Sequence, residues 1–334
     1  MRKSFRERPV DLVDVRFVRQ HWRPLLTTLA LFTLGGIALL ALWRAAADIS
    51  FDALVAALGS LRLTTLISAL AATLLSYAVL VGYDFLALRY GGIRLPLLTI
   101  LLASFCGYAI GNAVGLGTFS GGAVRYRLYS AAGLSPAQIA RVVGFISFVF
   151  GVGAFTITSL CIELRAQEIG RLLGAPPVIL QMIAGGYLAL VLGSLAYWLI
   201  RRSPIRLGAL EIKAPSANMV FAQLALVTAD ILAASAVLWV LLPTSPVDFL
   251  TFTALYASAL ILGVLTHIPG GLGVFEVVIL YALGRSTPVS TVAAALLAYR
   301  AIYFLLPLLL SILLLVGFEV RRSLTVAGPH QQGH

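Results

Sequence analysis

The chain has 334 residues, 60% of them hydrophobic and 11% charged, with a mean hydropathy of +0.99 and a formal net charge of +11. This composition excludes an ordinary soluble globular protein and reads as an all-α polytopic membrane protein. The charge does not mark a nucleic-acid binder, because the basic residues stand beside the ends of apolar segments, where an anionic membrane surface is the expected partner.

Arg2, Lys3, Arg6, Arg8, Arg16, Arg19 and Arg23 precede the first apolar run, so the positive-inside rule places the N-terminus in the cytoplasm. That run, Leu25 to Trp43, is too long and starts too late for a typical leader, and is expected to be an uncleaved first span running outward. Ile49 to Leu61 is expected to lie on the interface as a short amphipathic helix. Leu63 to Leu88 then returns to Arg89 and Arg94.

Pro96 to Val124 is apolar but crowded with Gly107, Gly111, Gly115, Gly117, Gly121 and Gly122, and it is basic on both sides. Both ends therefore favour the cytoplasm, which implies a broken, re-entrant segment. Ser135 is positioned to cap a helix that starts at Pro136. Span three is Val142 to Ile162, followed by an external loop carrying Glu163, Arg165, Glu168 and Arg171. Span four, Val178 to Ile200, returns to Arg201, Arg202, Arg206 and Lys213, and span five, Ala217 to Leu242, leads out to Pro243–Asp248.

A second broken segment follows. Thr251 to Thr266 meets His267-Ile268-Pro269-Gly270-Gly271-Leu272-Gly273-Val274-Phe275-Glu276, and Val277 to Leu283 is too short to cross a bilayer, which takes roughly 20 apolar residues. Pro269 cannot continue a helix, and such a break at membrane depth needs protein or a water-filled cavity to satisfy the freed backbone groups. The last span, Ser290 to Phe318, ends at Arg321 and Arg322. The expected layout is eight hydrophobic segments: six full spans plus two oppositely oriented re-entrant broken helices, with both termini cytoplasmic. Residues 1–24 and 319–334 are tails around one integral membrane domain, 25–318.

Gly122, Ala131, Gly133 and Ser135 match Gly273, Ala282, Gly284 and Ser286 at a constant offset of 151 positions. A possible inverted repeat of this kind, with its breaks at the binding site, is a known transporter arrangement. Cys106 and Cys161 lie in apolar runs without a metal-ligand spacing and read as packing residues. No metal or cofactor is expected.

Two stretches resemble the membrane flippase domain of the lysylphosphatidylglycerol synthase/flippase family, the bacterial multiple peptide resistance factors. They are Gly115-Leu116-Gly117-Thr118-Phe119-Ser120-Gly121-Gly122-Ala123-Val124-Arg125-Tyr126-Arg127-Leu128-Tyr129 with Gly133-Leu134-Ser135, and the run from His267 to Glu276. The resemblance implies movement of aminoacylated phosphatidylglycerol, or a related anionic lipid, from the inner to the outer leaflet of a bacterial cytoplasmic membrane. Only Glu319 to His334 follow the last span, so the family's soluble aminoacyl-transferase domain, and with it enzymatic activity, is not expected. Membrane phospholipids are the expected partners, with a separately encoded lipid-modifying enzyme beside them.

Ionisable groups within spans cost about 2.5–3.5 kcal/mol each on insertion scales and normally face a cavity or a partner. Arg125, Arg127 and Arg300 suit a lipid phosphate, since guanidinium offers bidentate donors, and Asp84, Asp230 and Glu276 suit a cationic head group. The bland alternative pairs Asp230 with Arg300 and leaves Arg125 and Arg127 as anchors. Gly115, Gly117, Gly121, Gly122, Pro269, Gly270, Gly271 and Gly273 line the substrate path or, alternatively, only permit close helix packing. Two other functions fit the same residues: a proton- or ion-coupled small-solute transporter, and an intramembrane hydrolase using Ser120 with His267.

Overall fold

The computed structural model describes residues 51–114, 117–201, 205–207, 210–212, 216–242, 247–266, 268 and 271–327. The expected N-terminal tail and first span lie outside the described residues, as do Gly115, His267, Pro269 and Gly270.

The described chain is helical apart from a short antiparallel hairpin of β1 (Ile205–Leu207) and β2 (Leu210–Ile212). The helices are α1 (Phe51–Gly59), α2 (Leu63–Tyr90), α3 (Leu97–Val114), α4 (Gly117–Ala131), α5 (Pro136–Leu173), α6 (Pro177–Arg201), α7 (Ala217–Leu241), α8 (Phe249–Leu265), α9 (Val274–Leu283), α10 (Val289–Tyr299) and α11 (Leu306–Ala327). A π-helical turn, Arg300–Leu305, joins α10 to α11. Among the described residues five stretches are long and apolar enough to cross a membrane: α2, α5, α6, α7 and the continuous run from Val289. α3, α8 and α9 are shorter, and α9, with 10 residues, is only about 15 Å long.

Local chemistry sets the boundaries. Ser135 accepts from the Gln138 N–H while Gln138 reaches back to the Ser135 N–H, so α5 starts on a full capping box at Pro136. Asp248 accepts from the N–H groups of Leu250 and Thr251 and opens α8. One expectation is corrected here. The charged stretch Glu163–Arg171 is not a loop but the last turns of α5, bent at Arg165. The bend brings Arg165 within 3.4 Å of Asp248 and Glu168 within 2.5 Å of the Thr251 hydroxyl, so polar groups that suggested a loop are met by the start of α8. α11 likewise runs on to Ala327, beyond the expected end at Phe318.

α2, α5, α7 and α8 form the packed centre, where Tyr256 and Phe252 of α8 are fully buried together with Tyr129 of α4 and Tyr299 of α10. α6 packs chiefly on α5 and leaves Met182, Ile183, Leu190 and Ile200 exposed, as a lipid-facing helix does. The two broken segments lie against this centre. α3 packs on α4, and α8 on α9.

Candidate functional site: two ion pairs and a lone carboxylate around one cavity

At the first break the close approach is between glycines. A Cβ on Gly121 would lie 2.5 Å from the Gly107 carbonyl oxygen, and one on Gly107 would lie 2.8 Å from Nη1 of Arg125. Only residues without side chains let α3 and α4 come this close with the guanidinium between them. Arg125 donates from Nε to Oδ1 of Asp84 at 2.8 Å and from Nη2 to Oδ2 at 2.7 Å, a bidentate pair joining α4 to α2. Asp84 also accepts from the hydroxyls of Ser104, at 3.0 Å, and Tyr129, at 2.7 Å. Four donors fill the acceptor sites of one carboxylate. Both charges are buried, Asp84 at 0% and Arg125 at 4% exposure.

At the second break Gly271 and Gly273 have φ of +63° and +85°, a turn that side-chain-bearing residues rarely adopt. The turn sets Glu276 in the first turn of α9, where Oε2 accepts from the Gly273 N–H at 2.8 Å. Its Oε1 accepts from Nε of Arg300 at 2.7 Å and from Nη2 at 2.5 Å. Arg300 lies over the Phe304 ring, 4.5 Å from its centroid. It opens the π-helical turn, and Pro307 follows, which has no N–H for the Tyr303 carbonyl. The Tyr77 hydroxyl donates to that carbonyl at 3.2 Å instead.

The third carboxylate differs. Asp230, on α7, is 4% exposed and accepts from the Tyr83 hydroxyl at 3.2 Å and the Ser76 hydroxyl at 3.3 Å. Among the described residues it forms no ion pair, and Arg300 is held by Glu276 instead.

All three sites meet at one cavity of about 350 Å³. Arg125, Arg300 and Asp230 stand in its wall, with Tyr108, Asn112 and Tyr303. Both breaks border it, through Gly111 and Thr118 on one side and Gly263, Ile268 and Gly271 on the other. Asp84 and Glu276 are not in the wall; each holds its arginine from behind. The Tyr108 ring faces Arg125, 4.4 Å from its Cζ, and its buried hydroxyl has no hydrogen-bond partner among the described residues. A buried orphan hydroxyl beside a cation is an unmet demand for a ligand atom or a water.

Of the other expected site residues, Arg127 sits on the exposed side of α4 and pairs with Glu319 of α11, 2.5 Å away. Gly117 begins α4, Gly121 packs on Gly107, Gly122 faces Val143, and Gly271 alone of the described expected glycines borders the cavity. Ser120 lies on α4, while its expected partner His267 is outside the described residues. Sequence reasoning missed Ser76, Tyr83, Tyr108 and Tyr129. Their signal was only that of hydroxyls inside apolar helices.

No protein-family model matches the sequence. The chain is 36% identical over 261 residues to the uncharacterized protein slr0712 of Synechocystis sp., an alignment covering 77% of this chain and 80% of the relative. It is 30% identical over 251 residues to the inner membrane protein YbhN of Escherichia coli, covering 74% and 78% respectively.

Proposed function

The chain belongs to the family of the inner membrane protein YbhN, a multi-pass membrane protein family, and on that premise we propose that it moves a phospholipid-like amphiphile between the two leaflets. In this proposal the head group passes through this cavity, along the few charged and polar groups in its largely apolar wall, while the acyl chains stay in the bilayer. The observation that carries it is the convergence of Arg125, Arg300 and Asp230 on one cavity bordered by both helix breaks. Two guanidiniums present N–H groups to a phosphate, and Asp230 presents a carboxylate to a cationic or hydroxylated portion of the head. The motif resemblance to the lysylphosphatidylglycerol flippases supports the same substrate class.

The layout of the proposal is six spans and two re-entrant hairpins, α3–α4 entering from the cytoplasm and α8–α9 from outside, related as inverted repeats. Arg125 and Glu276 occupy matching repeat positions, and each meets a partner of opposite sign at the edge of the same cavity. Cys106 and Cys161 are buried, which makes a thiol test of sidedness practicable. In a version without them, a cysteine at Ser286 is expected to react with an impermeant reagent on intact cells and one at Ser216 to be protected. The reverse pattern would overturn the layout.

The functional test uses the purified protein in liposomes with acyl-labelled phosphatidylglycerol or its lysyl ester. Wild type is expected to expose label to an external quencher several-fold faster than Arg125→Ala or Glu276→Gln. Rates equal to those of empty liposomes for every lipid, together with uptake of a soluble solute, would replace this reading with a solute transporter.

A further inference from the structure

Asp230 stands apart from the other two membrane carboxylates in its partners. Asp84 and Glu276 each hold an arginine, so two positive and two negative charges are matched around the cavity. Asp230 adds a third carboxylate with no ion-pair partner among the described residues. A buried, unpaired carboxylate is strongly disfavoured; such a group takes up a proton or receives a cation.

Its hydrogen bonds agree. A hydroxyl donating to a carboxylate normally sits 2.5–2.7 Å away, as Tyr129 does from Asp84 at 2.7 Å. The donors to Asp230 stand farther off, at 3.2 and 3.3 Å, and are two where Asp84 has four. The titratable groups that face Asp230 are tyrosines: Tyr83 and Tyr77 from α2, Tyr108 from α3, Tyr256 from α8, Tyr299 from α10 and Tyr303 from the π-helical turn. Tyrosine is neutral near pH 7, so these groups offer hydrogen bonds and no opposite charge. α5 supplies only Ser147 and apolar residues to the cavity wall, and the charged groups there are the two arginines already engaged.

We propose that Asp230 holds one positive charge at a time, a proton in the empty cavity and a head-group ammonium in the loaded one, so that an amine-bearing head group crosses in exchange for a proton. This rests on the lipid-translocation reading above and adds its coupling. With the phosphate on the arginines, the ammonium reaches Asp230 as the proton departs to the compartment from which the lipid came. On the far side a proton returns to Asp230 and releases the ammonium. The acidic compartment therefore draws the amine-bearing lipid to its own leaflet.

Two experiments test this. The first is independent of transport. Dicyclohexylcarbodiimide, an apolar electrophile, takes the proton of a protonated carboxyl and is then added to by its oxygen, giving a stable N-acylurea after rearrangement. It is mixed with the detergent-solubilised protein, and the labelled peptide is identified by mass spectrometry. Asp230 is expected to be labelled, at a rate falling about tenfold per pH unit above its midpoint, while Asp84 and Glu276 are spared. The lysyl ester of phosphatidylglycerol is expected to protect it several-fold and phosphatidylglycerol itself not at all. No labelling of Asp230, pH-independent labelling, or equal protection by both lipids would overturn the proposal.

The second uses liposomes with an acidic lumen, read against empty liposomes under the same gradient. The lysyl-ester probe is expected to accumulate in the inner leaflet several-fold over its level without a gradient, while the phosphatidylglycerol probe is indifferent. Asp230→Glu should keep this response and Asp230→Asn should lose it, whatever rate each retains. Probes that move equally with and without the gradient would remove proton exchange and leave lipid translocation standing. A complete lack of lipid movement in every arm would remove both.

Discussion

The two ion pairs have opposite polarity and different surroundings. In one, an arginine beside the break is held by an aspartate from a long helix; in the other, a glutamate beside the break holds an arginine from the last long run. Asp84–Arg125 is almost completely buried, and all four acceptor sites of Asp84 are occupied. Glu276–Arg300 keeps 11% and 17% of its side chains exposed and splits its carboxylate between the arginine and a helix N-terminus. The first pair is thus built to be permanent. The second retains access, and under the proposed function it is the pair whose partners are traded for those of a ligand.

The difference is most sharply broken at the acids. Asp84→Asn leaves Arg125 charged and uncompensated in a buried site, and is expected to destabilise the protein by about 3–5 kcal/mol, seen as loss of folded protein from the membrane. Adding Arg125→Gln removes the orphan charge and should restore most of the protein level, but not transport. Glu276→Gln is expected to cost less, about 1–3 kcal/mol, because Arg300 reaches the cavity and water. Its principal effect should be on lipid movement at near-normal protein level. If both acids produced the same loss of folded protein, the division into a permanent and a tradable pair would not hold.

The breaks give a smaller contrast. Gly121→Ala places a methyl 2.5 Å from the Gly107 carbonyl and must part α3 from α4, at about 1–3 kcal/mol, with Arg125 displaced as well. Gly263→Ala meets the Gly271 Cα at 3.2 Å, a contact that a shift of a few tenths of an ångström relieves. Thermal unfolding in detergent should therefore rank Gly121→Ala below Gly263→Ala. Equal midpoints would show that the first hairpin is as yielding as the second.

Much of this arrangement was legible in the sequence. Clustered glycines and Pro269 marked both breaks, and charges inside apolar runs marked the residues that now surround the cavity. Ser135 before Pro136 marked the start of α5. What was not legible was which charges meet. Asp84 and Arg125 are 41 positions apart, and Glu276 and Arg300 are 24 apart, so their pairing depends on how helices cross and not on spacing within one helix. Asp230 and Arg300 were an equally reasonable pair on paper. The charged end of α5 misled for the same reason: its polar groups are answered by Asp248 and Thr251 on another helix.

Arg127 gives the smallest expected effect. It lies two positions from Arg125, about 200° around the helix, so the rotation that aims Arg125 at Asp84 turns Arg127 away. It is 48% exposed, and its partner Glu319 is 44% exposed. Exposed pairs of this kind contribute about 0.2–1 kcal/mol and weaken in salt. Arg127→Gln should therefore leave the unfolding midpoint nearly unchanged and the rate of lipid movement within about twofold of wild type. Glu319→Gln should match it, because each removes half of one surface contact. A loss of transport as large as that of Arg125→Ala, in protein with a normal midpoint, would extend the head-group path from the cavity out to the end of α4.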